Sequence, residues 1–214
     1  MKLHDYFRSS AAFRVRIALA LKGLTPERAF HHLRKGEQRM PIYLKLNPMG
    51  LVPTLEDGEL VLTQSLAIVE YLDETHPEPP LLPKDAPGRA RVRALALAIA
   101  CDIHPLNNLR VLQYLLDTLK VGQHAHDAWY RHWIHEGFIG LNDMLDDGKA
   151  GRFCHGDAPT LADVCLVPQV FNARRFVAEP DLARYAQVMR VFAECMKVPA
   201  FADAQPARQP DAEG

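Results

Sequence analysis

Residues 77 to 87 read PEPPLLPKDAP and hold five of the chain's 16 prolines. Such a stretch cannot continue a helix or supply the ladder donors of a central strand, and it behaves as a semi-rigid connector. It therefore cuts the chain in two. The sequence predicts a first domain over 1–80 and a second over 88–214, each long enough to bury a core of its own.

The two sides carry different periodicities. Before the prolines, KLHDYF reads as a strand and SAAFRVRIALALKG as a helix with Phe13, Ile17, Ala18 and Leu21 on one face. Gly23 then falls where a left-handed cap is wanted. ERAFHHL reads as a second strand. VPTLEDGELVLT reads as a hairpin with Asp57-Gly58 as its turn signal, and SLAIVEYLDETH as a helix burying Leu66, Ile68, Val69 and Leu72. The order is β-α-β-loop-β-β-α, an α/β domain. Beyond the prolines every apolar pattern is helical: one run over about 88 to 119, a second over about 125 to 146 with Trp129 and Trp133 four apart, a third from Thr160, and a last over about 181 to 196. Thr160 and Asp163 have capping-box spacing. The tail AQPARQPDAEG is polar and reads as loose.

Charge and cysteine usage narrow the function. Lys+Arg number 25 against Asp+Glu 26, a net charge of −1, so no global field draws nucleic acid or an anionic membrane. Cys101, Cys154, Cys165 and Cys195 form no C-x-x-C pair and read as reduced core cysteines. With no signal-like N-terminus and no apolar run near 18 residues, the expected location is cytoplasmic. Of the ten histidines, His124 with His126 and His132 with His135 have suggestive spacings but no third ligand, so no metal is expected. His31 and His32 read as surface residues, and the two tryptophans as core.

Three stretches can hold an anionic peptide-like molecule. Ser9 and Ser10 stand where the first strand hands over to the first helix, and free N–H groups there favour an anion or thiolate. The plainer reading is that one serine caps the helix. In LNPMGLVPTL, a cis Pro53 would expose the backbone of Val52 to an extended peptide, whereas an ordinary trans proline at a strand start would not. Gln64-Ser65 opens a helix that can seat a carboxylate, or Ser65 is again only a cap.

Taken together, SSAAFRVRIALALKG, LNPMGLVPTL, QSLAIVEYLDE, DIHPLNNLRVL, GDAPTLADVCLVPQVFNARRF and the terminal RQPD resemble the glutathione transferase family, zeta class, over nearly the whole chain. The resemblance implies a thioredoxin-like first domain that binds glutathione and an all-α second domain that binds substrate. It implies cis–trans isomerisation of a small maleyl dicarboxylate, maleylacetoacetate or maleylpyruvate, in aromatic and tyrosine catabolism, by a homodimer with no nucleic-acid or membrane partner. It assigns Ser9 to the glutathione thiolate, with Ser10, Ala11 and the helix start to Arg14 lining the same place. It assigns Gln38 to the glycine end, Val52 and Pro53 to the cysteinyl unit, and Gln64 and Ser65 to the γ-glutamyl end. His104 and Asn108 are further glutathione-side positions, and Arg8, Arg110 and Arg175 a basic lining for the dicarboxylate. At Ala11 the family's usual cysteine is missing, at Ala12 a small polar residue, and at Phe13 a tryptophan.

The implied chemistry needs only glutathione's own thiol. An ordinary thiol of pKa about 8.5 is a few per cent thiolate at neutral pH. Lowering it by two units takes roughly 2.7 kcal/mol, within reach of a helix N-terminus plus one charge-assisted hydrogen bond from Ser9. Two other readings stay open: a general transferase conjugating small electrophiles, and a non-catalytic glutathione-binding protein. The three arginines favour a dicarboxylate over bulky apolar electrophiles.

Overall fold

In the computed structural model, which describes residues 1–213, strand β1 (Lys2–Asp5) buries Leu3, His4 and Asp5. It is a central strand. It pairs in parallel with β2 (Glu27–Phe30) and antiparallel with β3 (Thr54–Asp57), and β3 pairs antiparallel with β4 (Leu60–Thr63). The sheet order is β2-β1-β3-β4.

A parallel β1/β2 pair demands a crossover, and α1 (Ser10–Leu21) supplies it. Gly23, at φ 68°, closes that helix: Leu24 N–H donates to Leu19 O and Gly23 N–H to Ala20 O, a Schellman cap. A single buried face was expected for α1, yet nine of its residues are buried, Arg14 and Arg16 among them. The hairpin loop is Gly58-Glu59, one residue later than its turn signal, because Asp57 still pairs with Leu60. Gly58 provides the positive φ of 59° that this two-residue loop requires. After the short α2 (Pro41–Leu44) and the hairpin, α3 (Ser65–Thr75) packs on α1. Its buried face is Ser65, Ile68, Val69 and Leu72, an i, i+3, i+4, i+7 stripe. Leu66 lies one step round the helix and is only half-buried.

The helical unit begins at α4 (Ala86–Leu97), capped by Asp85, whose Oδ1 accepts from Gly88 N at 2.7 Å. The single run expected over 88–119 is broken. It passes through a π turn at Ala98–Ile103 and a 3-10 turn at His104–Asn107 before α5 (Leu109–Gln113) and a second π turn. Pro105 lacks the N–H that a continuous helix needs, and extended Asn108 starts the next segment. Next come α6 (Gln123–Leu145) and α7 (Leu161–Ala173), where the Thr160/Asp163 capping box is formed. The last expected helix is two, α8 (Glu179–Leu182) and α9 (Ala186–Cys195), parted at Tyr185. Val92, Ile99, Ile134, Phe138, Val164 and Val167 form this unit's core. Gly137 lets Ile103 press against α6: a Cβ there would meet Ile103 Cγ1 at 2.3 Å.

The compact units are Met1–Pro80 plus the chain from Val198 onward, and Leu81–Lys197. This corrects the expected 88–214 domain at both ends. It also corrects the loose tail. Helix α10 (Pro199–Asp203) packs on α1. Ala204 O accepts from Arg16 Nε at 2.9 Å, and Asp211 Oδ2 accepts from Phe7 N at 2.9 Å. No helix of the described residues is long and apolar enough to cross a membrane.

Candidate active site

The first expected site residues sit on the turn between β1 and α1, and a buried ion network holds that turn. Asp5 is fully buried and accepts from Arg16 Nη1 at 2.8 Å, from Arg28, and from Tyr6 N at 2.7 Å. Arg16 also donates to Tyr6 O (3.4 Å) and to Phe7 O (3.1 Å). Burial lowers the Arg16 guanidinium pKa, and the Asp5 carboxylate pulls it back up. This network answers why arginines interrupt an apolar helix: Arg16 satisfies the carbonyls of the very turn that presents the serines.

Arg8 follows, exposed, its guanidinium 5.2 Å from the Phe7 ring centre. Ser9 is the N-cap of α1, and its Oγ accepts from Ala12 N at 3.1 Å. Capping and function are compatible here. The hydroxyl accepts from the helix and keeps its own hydrogen to donate outward. Ser10 is buried at the first helical position, and Ala11 beside it is half-buried.

The N-terminus of α3 is the second anion-ready feature of this unit. Its N-cap, Gln64, is exposed at φ 69° and makes no side-chain cap bond, so the first-turn N–H groups keep their donors. Ser65 Oγ accepts from Arg14 Nη1 at 3.2 Å, again leaving its hydrogen to give. Arg14 itself is 2% exposed, and its Nε and Nη2 have no partner among the described residues. The Val52–Pro53 bond is cis, and among the described residues the backbone N–H and C=O of Val52 have no hydrogen-bond partner. Gln38 donates to Leu33 O at 3.3 Å, while its Oε1 is buried without a partner among the described residues. Free helix N–H groups, two serine hydroxyls, an open backbone strand and a buried cation suit a carboxylate-bearing peptide such as glutathione.

In the helical unit, Asn108 caps α5 through Arg110 N at 3.1 Å and donates from Nδ2 to His104 Nε2 at 3.3 Å. Arg110 is exposed. Arg174 is taken by Glu179 at 2.6 Å and by the Phe192 ring, whereas exposed Arg175 lies over Phe176. A cleft of about 280 Å³ lined by Asp102, Ile103, Trp133 and Glu136 contains none of the expected site residues. No cluster of metal-ligating side chains occurs among the described residues. His126 is bound to Asp127 at 2.8 Å and His135 to Tyr185 at 2.6 Å. Trp129 and Trp133 are half-buried, not core, and Cys101 is exposed while the other three cysteines are buried.

Sequence reading missed two groups. One is the Asp5–Arg16–Arg28 network, signalled only by charges inside an apolar strand and helix. The other is a stack in which His31, expected on the surface, meets buried His4 at 2.8 Å, with His4 in turn on Glu56 at 2.7 Å. The alternation of a short strand carries no mark that such a pair faces inward.

A four-stranded β-α-β-α-β-β-α unit with serines at the N-termini of α1 and α3, joined to an all-helical unit, defines the glutathione transferase architecture. Residues 1–74 match the family model described as Glutathione S-transferase, N-terminal domain. A Vibrio cholerae protein named probable maleylacetoacetate isomerase is 53% identical over 98% of this chain and 97% of its own length. A holo structure of maleyl pyruvate isomerase, described as a bacterial zeta-class glutathione transferase, superposes with TM-score 0.96 at 48% identity, covering all of both chains. A maleylacetoacetate isomerase from Methylobacterium extorquens, solved with malonate and glutathione, gives 0.95 at 42%, again over all of both chains. The chain belongs to the zeta class of the glutathione transferase family.

Proposed function

We propose that this protein is a glutathione-dependent cis–trans isomerase of a maleyl dicarboxylate, maleylacetoacetate or maleylpyruvate, in aromatic catabolism. The observation that carries the reading is the pair of helix N-termini in the first unit. Each has a serine whose hydroxyl accepts one bond from the protein and keeps its hydrogen free to donate. The full-length similarity to named isomerases supports it. When bound, glutathione supplies a thiolate that adds reversibly to the cis double bond, letting it turn before the thiolate leaves.

The chain's own residues bind, orient and hold charge. Ser9 donates to the thiolate and so keeps it ionised near neutral pH. Ser10 and Ala11 leave room beside it. Val52, placed by Pro53, offers backbone N–H and C=O to the cysteinyl unit, Gln38 serves the glycine end, and Gln64 and Ser65 serve the γ-glutamyl end. His104 and Asn108 are assigned to the glutathione side as well. Arg8, Arg110 and Arg175 are assigned to the substrate carboxylates, where fork-shaped guanidinia bind two oxygens at once. The first unit is the glutathione-binding one and the second the substrate-binding one. The working form is a homodimer in the cytoplasm.

The test is loss of maleylpyruvate and maleylacetoacetate absorbance with catalytic glutathione, beside Arg8→Ala and Ser9→Ala. Turnover with glutathione unspent, strongly reduced in both variants, is expected. Conjugation of a generic electrophile without turnover of either maleyl compound would replace the isomerase with a general transferase. Light scattering on the eluted peak checks the dimer.

A further inference from the structure

The peptide between Leu51 and Val52 is gripped by its oxygen. Leu51 O accepts from Tyr43 OH at 2.7 Å and from Asn47 Nδ2 at 2.7 Å. With its hydrogen so used, the Tyr43 hydroxyl accepts from Thr54 Oγ1 at 2.9 Å. A trans peptide points its C=O and N–H in opposite directions. Fixing Leu51 O inward therefore turns the Val52 N–H outward, and no described residue takes it. Tyr43, on α2 and 1% exposed, thus decides where that donor points.

Two imidazoles back Tyr43. Its ring lies 4.4 Å from that of His31, just after β2, and 5.7 Å from that of His4, on β1. His4 Nδ1 and His31 Nε2 are 2.8 Å apart, and His4 Nε2 is 2.7 Å from Glu56 Oε1 on β3. Two ring nitrogens at that distance need one hydrogen between them, whichever ring supplies it. The pair can hold one extra proton, since an imidazolium at His4 donates to Glu56 on one side and to His31 on the other. A second proton puts a hydrogen on each facing nitrogen and two positive charges side by side, so the rings must part. His4 is buried and His31 only half-buried, so His31 is the ring that moves. The other charges that act on it are Lys2, which pairs with Glu27 at 3.4 Å, and Glu37, which accepts from His32 N at 2.6 Å.

We propose that the His4–His31 pair positions Val52 for glutathione through Tyr43 and makes the site proton-sensitive: when both imidazoles are protonated, His31 swings away, Tyr43 loses its backing, and the Leu51–Val52 peptide is no longer fixed. The proposal rests on the reading of the first unit as a glutathione site. Glutathione and the second proton then oppose one another. Affinity is full while His31 is neutral and falls as pH drops through its titration, because only the clamped fraction is competent to bind. Reciprocally, binding at acid pH expels a proton. The effect is separate from ionisation of the glutathione thiol.

S-Methylglutathione keeps the two apart, because its thiol is blocked and its carboxylates stay ionised. Calorimetry with this ligand from pH 5 to 7.5, in two buffers of different ionisation enthalpy, compares wild type, His31→Phe and Tyr43→Phe, with circular dichroism checking the fold at each pH. Wild-type affinity should be level from pH 7.5 to 6.5 and fall about 5- to 20-fold by pH 5, with proton release on binding at the acid end. His31→Phe keeps a ring against Tyr43 but takes up no proton, so its affinity should stay level and no proton should be released. Tyr43→Phe keeps the ring and loses the hydroxyl, so it should bind less tightly at pH 7.5 and show little slope. A pH-independent wild type, or a slope that persists in His31→Phe, would overturn the proposal; the second result would move the titration to His32, which sits on Glu213. Should His31→Phe not fold, the His31 ring signal of wild type followed by NMR decides: bound ligand must move its titration to lower pH, and an unmoved titration overturns the proposal. A wild type that binds neither S-methylglutathione nor glutathione would refute the glutathione reading itself, and the proposal with it.

Discussion

Replacing Arg16 with methionine keeps an apolar stem in place of the arginine methylenes but removes every polar contact the side chain makes. Asp5 stays fully buried and loses its 2.8 Å partner, and the carbonyls of Tyr6, Phe7 and Ala204 lose donors. Breaking a buried pair by deleting one partner costs about 3–5 kcal/mol. Arg28 remains on Asp5, which holds the loss near the lower end, about 3 kcal/mol. At roughly 2–4 °C per kcal/mol for a chain of this size, Tm should fall by about 6–12 °C. Urea unfolding should give the same free energy with an unchanged m-value. Because the Tyr6 and Phe7 carbonyls belong to the turn that presents Ser9, glutathione affinity should fall as well. The double variant Asp5→Asn/Arg16→Met should cost less than the two single changes added together. A loss under about 1 kcal/mol, or strict additivity, would refute the claim that this ion network holds the turn.

Three further outcomes follow from the geometry. Ser9→Ala should cost about 1 kcal/mol of stability as a lost cap and lower kcat/KM about 10- to 100-fold at neutral pH; a pH–rate profile should show the activity deficit narrowing as pH rises and the thiol ionises unaided. Burial, followed by the neighbouring His4, holds the His31 imidazole below its ordinary 6.5, so the unfolded chain takes up that proton first. Stability should therefore be full above pH 6.5 and decline as pH drops through it, and thermal melts of His31→Phe across pH 5 to 8 should show a smaller decline, His135 being shifted the same way. Gly137→Ala should cost about 1–3 kcal/mol by overpacking against Ile103, and Ile103→Ala in the same chain should recover part of it, read by urea titration.

The order of strands and helices in the first unit was legible because each element carries its own punctuation. Gly23 closes α1 and Gly58 turns the hairpin, and in the helical unit Thr160 with Asp163 likewise opens α7. The breaks at His104–Asn108 and Tyr185 were not legible from periodicity, since the apolar pattern runs on through them. The tail was misread because its anchors are polar. Gln209 and Asp211 look like solvated residues until Arg28 and the Phe7 N–H are seen waiting for them. At the site, the serines were legible from their place at a strand-to-helix handover. The difference between Arg14 and Arg16 was not, for only the fold reveals that one of them has an acid to face and the other has none.

The return of the C-terminal segment to the first unit has a consequence for the order of assembly. Helix α10 and the residues after it supply acceptors to the Phe7 N–H in the turn before Ser9, and to Arg16 and Arg28, which reach Asp5 beside that turn. A ribosome builds from one end, and a continuous N-terminal domain folds while the rest is still being made. Here residues 1–80 leave the ribosome with those donors unmet, and the whole of Leu81–Lys197 must follow before the partners emerge. The half of the protein that begins first is finished last, so its serine-bearing turn is not secured until the helical unit has been synthesised.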